Sequence, residues 1–206
     1  MTFAVWRRTL APVVGPLGRR LQRLSPNQIT VASFVLAAGG GALVACGRLS
    51  RTAVLGGVAL LLLHVLADYL DGEVARATGR TSRLGDFLDH VLDRCADLVV
   101  LGGVAASGLA RLELALSALS LCLLVGAVNV QVELSTRRRR DAAISRTDGQ
   151  LLLVLVLAVQ AVLPLHLLGL SLVDWALLIY LPLAATLAAC AILRAARQLQ
   201  REPDDE

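Results

Sequence analysis

The chain has 206 residues, of which 56% are hydrophobic and only 3% aromatic, and its mean hydropathy is +0.70. That composition excludes an ordinary soluble core and points to an all-α integral membrane protein. The net charge of +4, carried by twenty arginines and no lysine, reads in such a chain as the basic excess of cytoplasmic loops, and no nucleic-acid partner is expected.

Residues 1–24 set Trp6, Leu10, Val13, Val14, Leu17 and Leu21 against Arg7, Arg8, Arg19, Arg20 and Arg23, with Pro12 and Pro16 between them. The pattern predicts a broken amphipathic segment lying on the membrane surface. It has no continuous apolar core ending in a cleavage site, so no cleavable signal peptide is expected. A helix start follows: Ser25 as cap, Pro26 in the first position and Gln28 closing a capping box.

The first span covers 29–46, where Gly39-Gly40-Gly41 allows close helix packing. The second starts near 52 and runs to about 77, apolar first and charged later. Gly79 is the expected stop, with Thr81 or Ser82 capping the next helix. The third helix, 83–109, reverses the order, charged first and apolar from Leu98. Spans four to six are placed at 113–134, 149–169 and 172–193. Residues 25–198 therefore form one six-span domain, followed by a polar tail at 199–206.

Six spans put both termini on one side. That side carries five arginines before the first span, three at 76–83, five at 137–146 and three at the C-terminal end. The opposite loops hold Arg48, Arg51 and Arg111. The arginine-rich side is cytoplasmic, in the inner membrane. Cys46, Cys95, Cys122 and Cys190 lie in apolar stretches without a CxxC spacing. Buried, reduced thiols are expected, and no zinc site.

The chemistry is concentrated in residues 68–93. Asp68, Asp71, Gly72, Ala75 and Arg76 fall at intervals of three and four, on one helix face. Gly85, Asp89 and Asp93 recur every four residues on the next helix. If the two faces meet, four carboxylates converge. Like charges about 4 Å apart repel by roughly 4 kcal/mol at an effective dielectric near 20, so the cluster calls for cations. Oxygen ligands alone suit Mg²⁺ or Mn²⁺. Four negative charges balance two such ions, an arrangement that clamps a phosphate during displacement. Gly72 and Ala75 leave space for a bulky group on the same face. Solvated charges at helix ends are the plain alternative, but ionisable groups beside membrane spans are costly and usually functional. A divalent-cation transporter is the rival class. Transport favours broken helices near the midplane, whereas these acids lie at one membrane face.

The string Asp68-x-x-Asp71-Gly72-x-x-Ala75-Arg76, eight residues, then Gly85-x-x-x-Asp89-x-x-x-Asp93 resembles the signature of the CDP-alcohol phosphotransferase (phosphatidyltransferase) family, with every position filled. The resemblance implies a membrane transferase of phospholipid biosynthesis. Such enzymes move a phosphatidyl or similar phosphoryl group from a CDP-linked donor, usually CDP-diacylglycerol, to the hydroxyl of a small polar alcohol and release CMP. It implies that Asp68, Asp71, Asp89 and Asp93 hold one or two divalent ions. Gly72, Ala75, Arg76 and Gly85 would surround the CDP moiety, and Asp93 would deprotonate the acceptor. A homodimer is also implied. Asn27, at the entry to the first span, is expected either to face the nucleotide or to serve a structural turn.

Arg137, Arg138, Arg139, Arg140 and Arg146 form the densest basic cluster. They either grip anionic headgroups and fix topology or, as the family resemblance implies, hold an acceptor phosphate, with Arg146 and Arg137 as candidates. The acceptor is then a phosphorylated polyol, glycerol phosphate or inositol phosphate. Val132-Glu133-Leu134-Ser135-Thr136 and Thr147-Asp148-Gly149-Gln150 lack the further basic residues of phosphatidylinositol-phosphate synthases, which weighs against inositol phosphate. His64, one turn before Asp68, is expected to be a packing histidine, with a hydrogen bond to a ligand carboxylate as the alternative. Asn129 and Glu133 would line a cavity or bond a neighbouring helix. Asp86 and Asp97 flank the motif without belonging to it.

Overall fold

The computed structural model describes residues 25–78, 83–136 and 146–200. The segment expected at 1–24, the turn at 79–82, Arg137–Arg140 and the end of the polar tail lie outside the described residues. The described residues form six helices: α1 (Pro26–Ala45), α2 (Arg51–Thr78), α3 (Arg83–Ser107), α4 (Leu112–Thr136), α5 (Arg146–Val162) and α6 (Leu172–Leu199). A 3₁₀ turn, Cys46–Arg48, links α1 to α2.

The capping box at the start of α1 is present. Gln28 N–H donates to Ser25 Oγ at 3.3 Å, and Ser25 N–H donates to Gln28 Oε1 at 2.9 Å. These bonds satisfy two backbone donors that the helix itself leaves free. Among the described residues, four helical segments are long and apolar enough to cross a membrane: Asn27–Arg48, Arg51–Leu70, Leu112–Thr136 and Leu172–Leu199. Asp148–Val162, within α5, is apolar but shorter. α3 carries its charged residues first and becomes apolar only from Leu98. The chain is a multi-pass membrane protein.

The fifth helix ends at Val162, short of the 169 expected from hydropathy. Pro164 has no N–H and biases the preceding residue away from the helical region. His166–Leu167 then pairs antiparallel with Leu170–Ser171. The two-residue turn between them holds Leu168 at φ 55° and Gly169 at φ 76°. Positive φ at both central residues matches the twist of a tight hairpin. Ser171 caps α6 in a second capping box with Asp174. Asp174 Oδ1 also accepts from the Arg111 backbone N–H at 2.6 Å, and Gln160 Oε1 accepts from Leu172 N–H at 3.1 Å. This end of the bundle is tied together away from the carboxylates.

α1 packs along both α2 and α3, α4 against α3 and α6, and α5 against α2 and α6. The glycine run in α1 permits backbone-to-backbone approach. A Cβ added at Gly40 would lie 3.1 Å from the Gly57 carbonyl oxygen on α2, and one at Gly41 would lie 2.6 Å from that of Val99 on α3. The core between the helices is small and aliphatic, including Ala37, Val44, Val58, Leu61, Ala96, Val104, Leu157 and Leu177. Leu116 and Leu124 on α4, and Ile179, Leu183 and Ile192 on α6, point outward, as faces turned to lipid do. Cys46, Cys95 and Cys122 are half-buried and Cys190 is exposed. The expectation of buried thiols is thus not met, because the outer face of a span needs no protein cover to stay out of water.

Candidate functional site

Among the described side chains, three motif carboxylates meet. Asp68 comes from α2, and Asp89 and Asp93 come from successive turns of α3. Each offers an oxygen, and these oxygens lie within 4.8 Å of one another in a half-buried setting. At that separation each pair of carboxylates repels by about 3–4 kcal/mol at an effective dielectric near 20. A divalent cation with oxygen ligands at about 2.0–2.6 Å spans ligand-to-ligand distances of up to about 4–5 Å. The donor set therefore fits a hard divalent ion in both spacing and chemistry.

Asp71, Gly72, Ala75 and Arg76 follow Asp68 on α2 at three, four, seven and eight residues. That register places them on the Asp68 face; their side chains lie outside what is described. Gly85, half-buried, stands one turn before Asp89 on α3. Asn27 is half-buried in the first turn of α1, three residues before Thr30, which lines the cavity at the carboxylates. Arg146 is the first residue of α5, with its side chain outside the described set, as is Arg137 entirely. Asn129 is exposed on α4, and Glu133 is half-buried there. Asp86, in the first turn of α3, is an anion at a helix start.

The cavity is lined by Thr30, Ser33 and Phe34 of α1, His64 and Asp68 of α2, and Leu92, Asp93 and Ala96 of α3. One polar contact there was not legible in the sequence. Ser33 Oγ lies 2.8 Å from His64 Nδ1 and donates to the His64 carbonyl at 3.2 Å, while Nδ1 lies 3.0 Å from the Ser33 carbonyl. The 31-residue separation leaves no local signal for it. A second contact surrounds Asp97. Gln150 Nε2 donates to Asp97 Oδ1 at 3.0 Å, and Arg94 pairs with Asp97 Oδ2 at 3.2 Å. Arg94 lies against Gly126 of α4, where any side chain would collide with the guanidinium. This half-buried group, centred on buried Asp97, links α3, α4 and α5 one turn beyond Asp93.

A helical membrane bundle with a carboxylate cluster at the charged ends of two helices is the framework of a metal-dependent membrane enzyme. The profile of the CDP-alcohol phosphatidyltransferase family matches residues 23–197, and a phosphatidylinositol phosphate synthase of Mycobacteroides abscessus is 35% identical over 168 residues, covering 77% of this chain and 72% of that one. The chain belongs to the CDP-alcohol phosphatidyltransferase family.

A bifunctional IPC transferase and DIPP synthase of Rubrobacter xylanophilus is 40% identical over 127 residues, 62% of this chain but only 27% of that protein. Among solved structures, phosphatidylinositol phosphate synthase of Mycobacterium tuberculosis with CDP-DAG bound superposes with a TM-score of 0.67 at 22% identity, over 94% of this chain and 96% of that one. The same enzyme in complex with manganese and citrate gives 0.65 at 23%, over 93% and 90%. These structures establish the shared fold.

Proposed function

We propose that the chain transfers a phosphatidyl group from CDP-diacylglycerol to a hydroxyl of inositol phosphate and releases CMP, as a homodimer in the cytoplasmic membrane with its site on the cytoplasmic side. The convergence of Asp68, Asp89 and Asp93 within 4.8 Å carries this reading. Membership of the family supports the reaction class. The M. tuberculosis enzyme was crystallised with CDP-DAG and with manganese. The name of the M. abscessus relative favours inositol phosphate, against the missing basic residues at 132–136 and 147–150.

In this mechanism Asp68, Asp71, Asp89 and Asp93 would hold two divalent ions. Those ions would supply positive charge at the donor's diphosphate and the departing CMP. Gly72, Ala75, Gly85 and Asn27 bound the space for the CDP moiety, and Arg76 adds a fixed charge for phosphate. Asp93 takes the proton of the acceptor hydroxyl. The oxygen bonds to the phosphorus that carries the lipid, and the bond from that phosphorus to the CMP oxygen breaks. Arg146 and Arg137 hold the acceptor's phosphate. The test is CMP release by the purified full chain with CDP-diacylglycerol and, in separate reactions, inositol phosphate, glycerol phosphate or inositol. Release with inositol phosphate alone is expected. Release only with glycerol phosphate would redirect the acceptor, and none with any alcohol would remove the reaction.

A further inference from the structure

We propose that His64 is a positioning residue for the carboxylate centre, held by Ser33 so that its Nε2 edge serves the metal side of the cavity. This rests on the metal reading above. Thr30, Ser33 and His64 are 8%, 4% and 3% exposed, in helix segments apolar enough to span a membrane. Polar groups at that depth are expensive unless bonded or used. His64 lies one turn deeper on α2 than Asp68 and lines the same cavity as Asp68 and Asp93.

The three contacts between Ser33 and His64 fix the imidazole. The Ser33 carbonyl can only accept, so its 3.0 Å contact requires a proton on Nδ1. The Ser33 hydroxyl proton then goes to the His64 carbonyl. The Nδ1 proton is then shared between the Ser33 carbonyl and the Ser33 hydroxyl oxygen at 2.8 Å, so two protons serve the three contacts. In the neutral ring Nε2 is then an acceptor, and it needs a donor that the acceptor-only carboxylates beside it cannot supply. The group it suits in this cavity is a water on the bound ion. His64 would then orient that water and, through it, the ligand geometry, as partners behind metal ligands commonly do.

The alternative is that the Ser33–His64 pair only fastens α1 to α2. Two isosteres separate these roles. His64→Asn retains an amide near the Nδ1 position and drops the Nε2 edge. His64→Gln places its amide near Nε2 and drops the Ser33 contact. Mn²⁺ binding to the full chain in nanodiscs, without substrate, is read by calorimetry beside the thermal unfolding midpoint. Asp89→Asn is the reference for a lost ligand.

We expect His64→Asn to melt as the wild type does while its Mn²⁺ Kd rises about tenfold or more. His64→Gln should lose less Mn²⁺ affinity than His64→Asn, and Ser33→Ala should weaken Mn²⁺ without abolishing it. Wild-type Mn²⁺ affinity in His64→Asn, or loss tracking the melting midpoint across all three variants, would overturn the proposal and leave the metal site standing. Failure of the wild type to bind Mn²⁺ would overturn both.

Discussion

At the scale of single residues, the proposed reaction gives Asp93 and Arg146 separable roles. Asp93→Asn keeps the size of the side chain and removes its basicity. It should lower kcat by about a hundredfold or more while shifting the donor KM far less, because a general base acts in the transition state. Steady-state CMP release checks this, and near-normal turnover would take Asp93 out of the base role. Arg146→Ala should raise the KM for inositol phosphate about ten- to a hundredfold and leave the donor KM unchanged. A charge-assisted hydrogen bond is worth roughly 1.5–3 kcal/mol. If the arginine cluster only fixes topology, its neighbours compensate and neither KM moves. The acidic residues were legible in the sequence because helical spacing alone puts Asp89 and Asp93 on one face and Asp68 at the matching end of the preceding helix. The Ser33–His64 and Asp97–Gln150 contacts were not, since each joins helices whose relative rotation no local pattern records.

At the scale of the elements, α1 decides the spacing of the two helices that bear the carboxylates. Gly41→Ala would set a methyl 2.6 Å from a backbone oxygen of α3, and backbone cannot rotate aside. A cost of about 1–3 kcal/mol is expected, seen as a lower unfolding midpoint in detergent. Gly102→Ala is the control, because nothing lies within 4 Å of its added Cβ. It should be neutral or slightly stabilising, since alanine favours the helix. Equal midpoints for the two variants would contradict the close approach. The start of α1 was readable from Ser25, Pro26 and Gln28, whose chemistry is local. The end of α5 was not, because Leu165, Leu167 and Leu168 continue the hydropathy past Pro164 while the backbone has already turned.

At the scale of the whole molecule, the charged halves of α2 and α3 lie at one end and the Ser171–Asp174 cap at the other. If oxygen-ligated ions hold the substrates, excess EDTA should abolish CMP release and added Mg²⁺ or Mn²⁺ should restore it. Full activity in chelator would remove the metal from the reaction. The arginine count further predicts that a fluorescent protein fused after Glu206 glows and a periplasmic phosphatase fused there stays inactive; the reverse would invert the topology. The glycine contacts of α1 have a consequence for how the protein meets its lipid surroundings. Where backbone touches backbone, as at Gly40 with Gly57 and Gly41 with Val99, there is no side-chain layer left to compress. A thicker bilayer or higher lateral pressure should then strain the leucine-covered outer helices first, and the gap between Asp68 and Asp89 is expected to stay the same across membranes of different lipid composition.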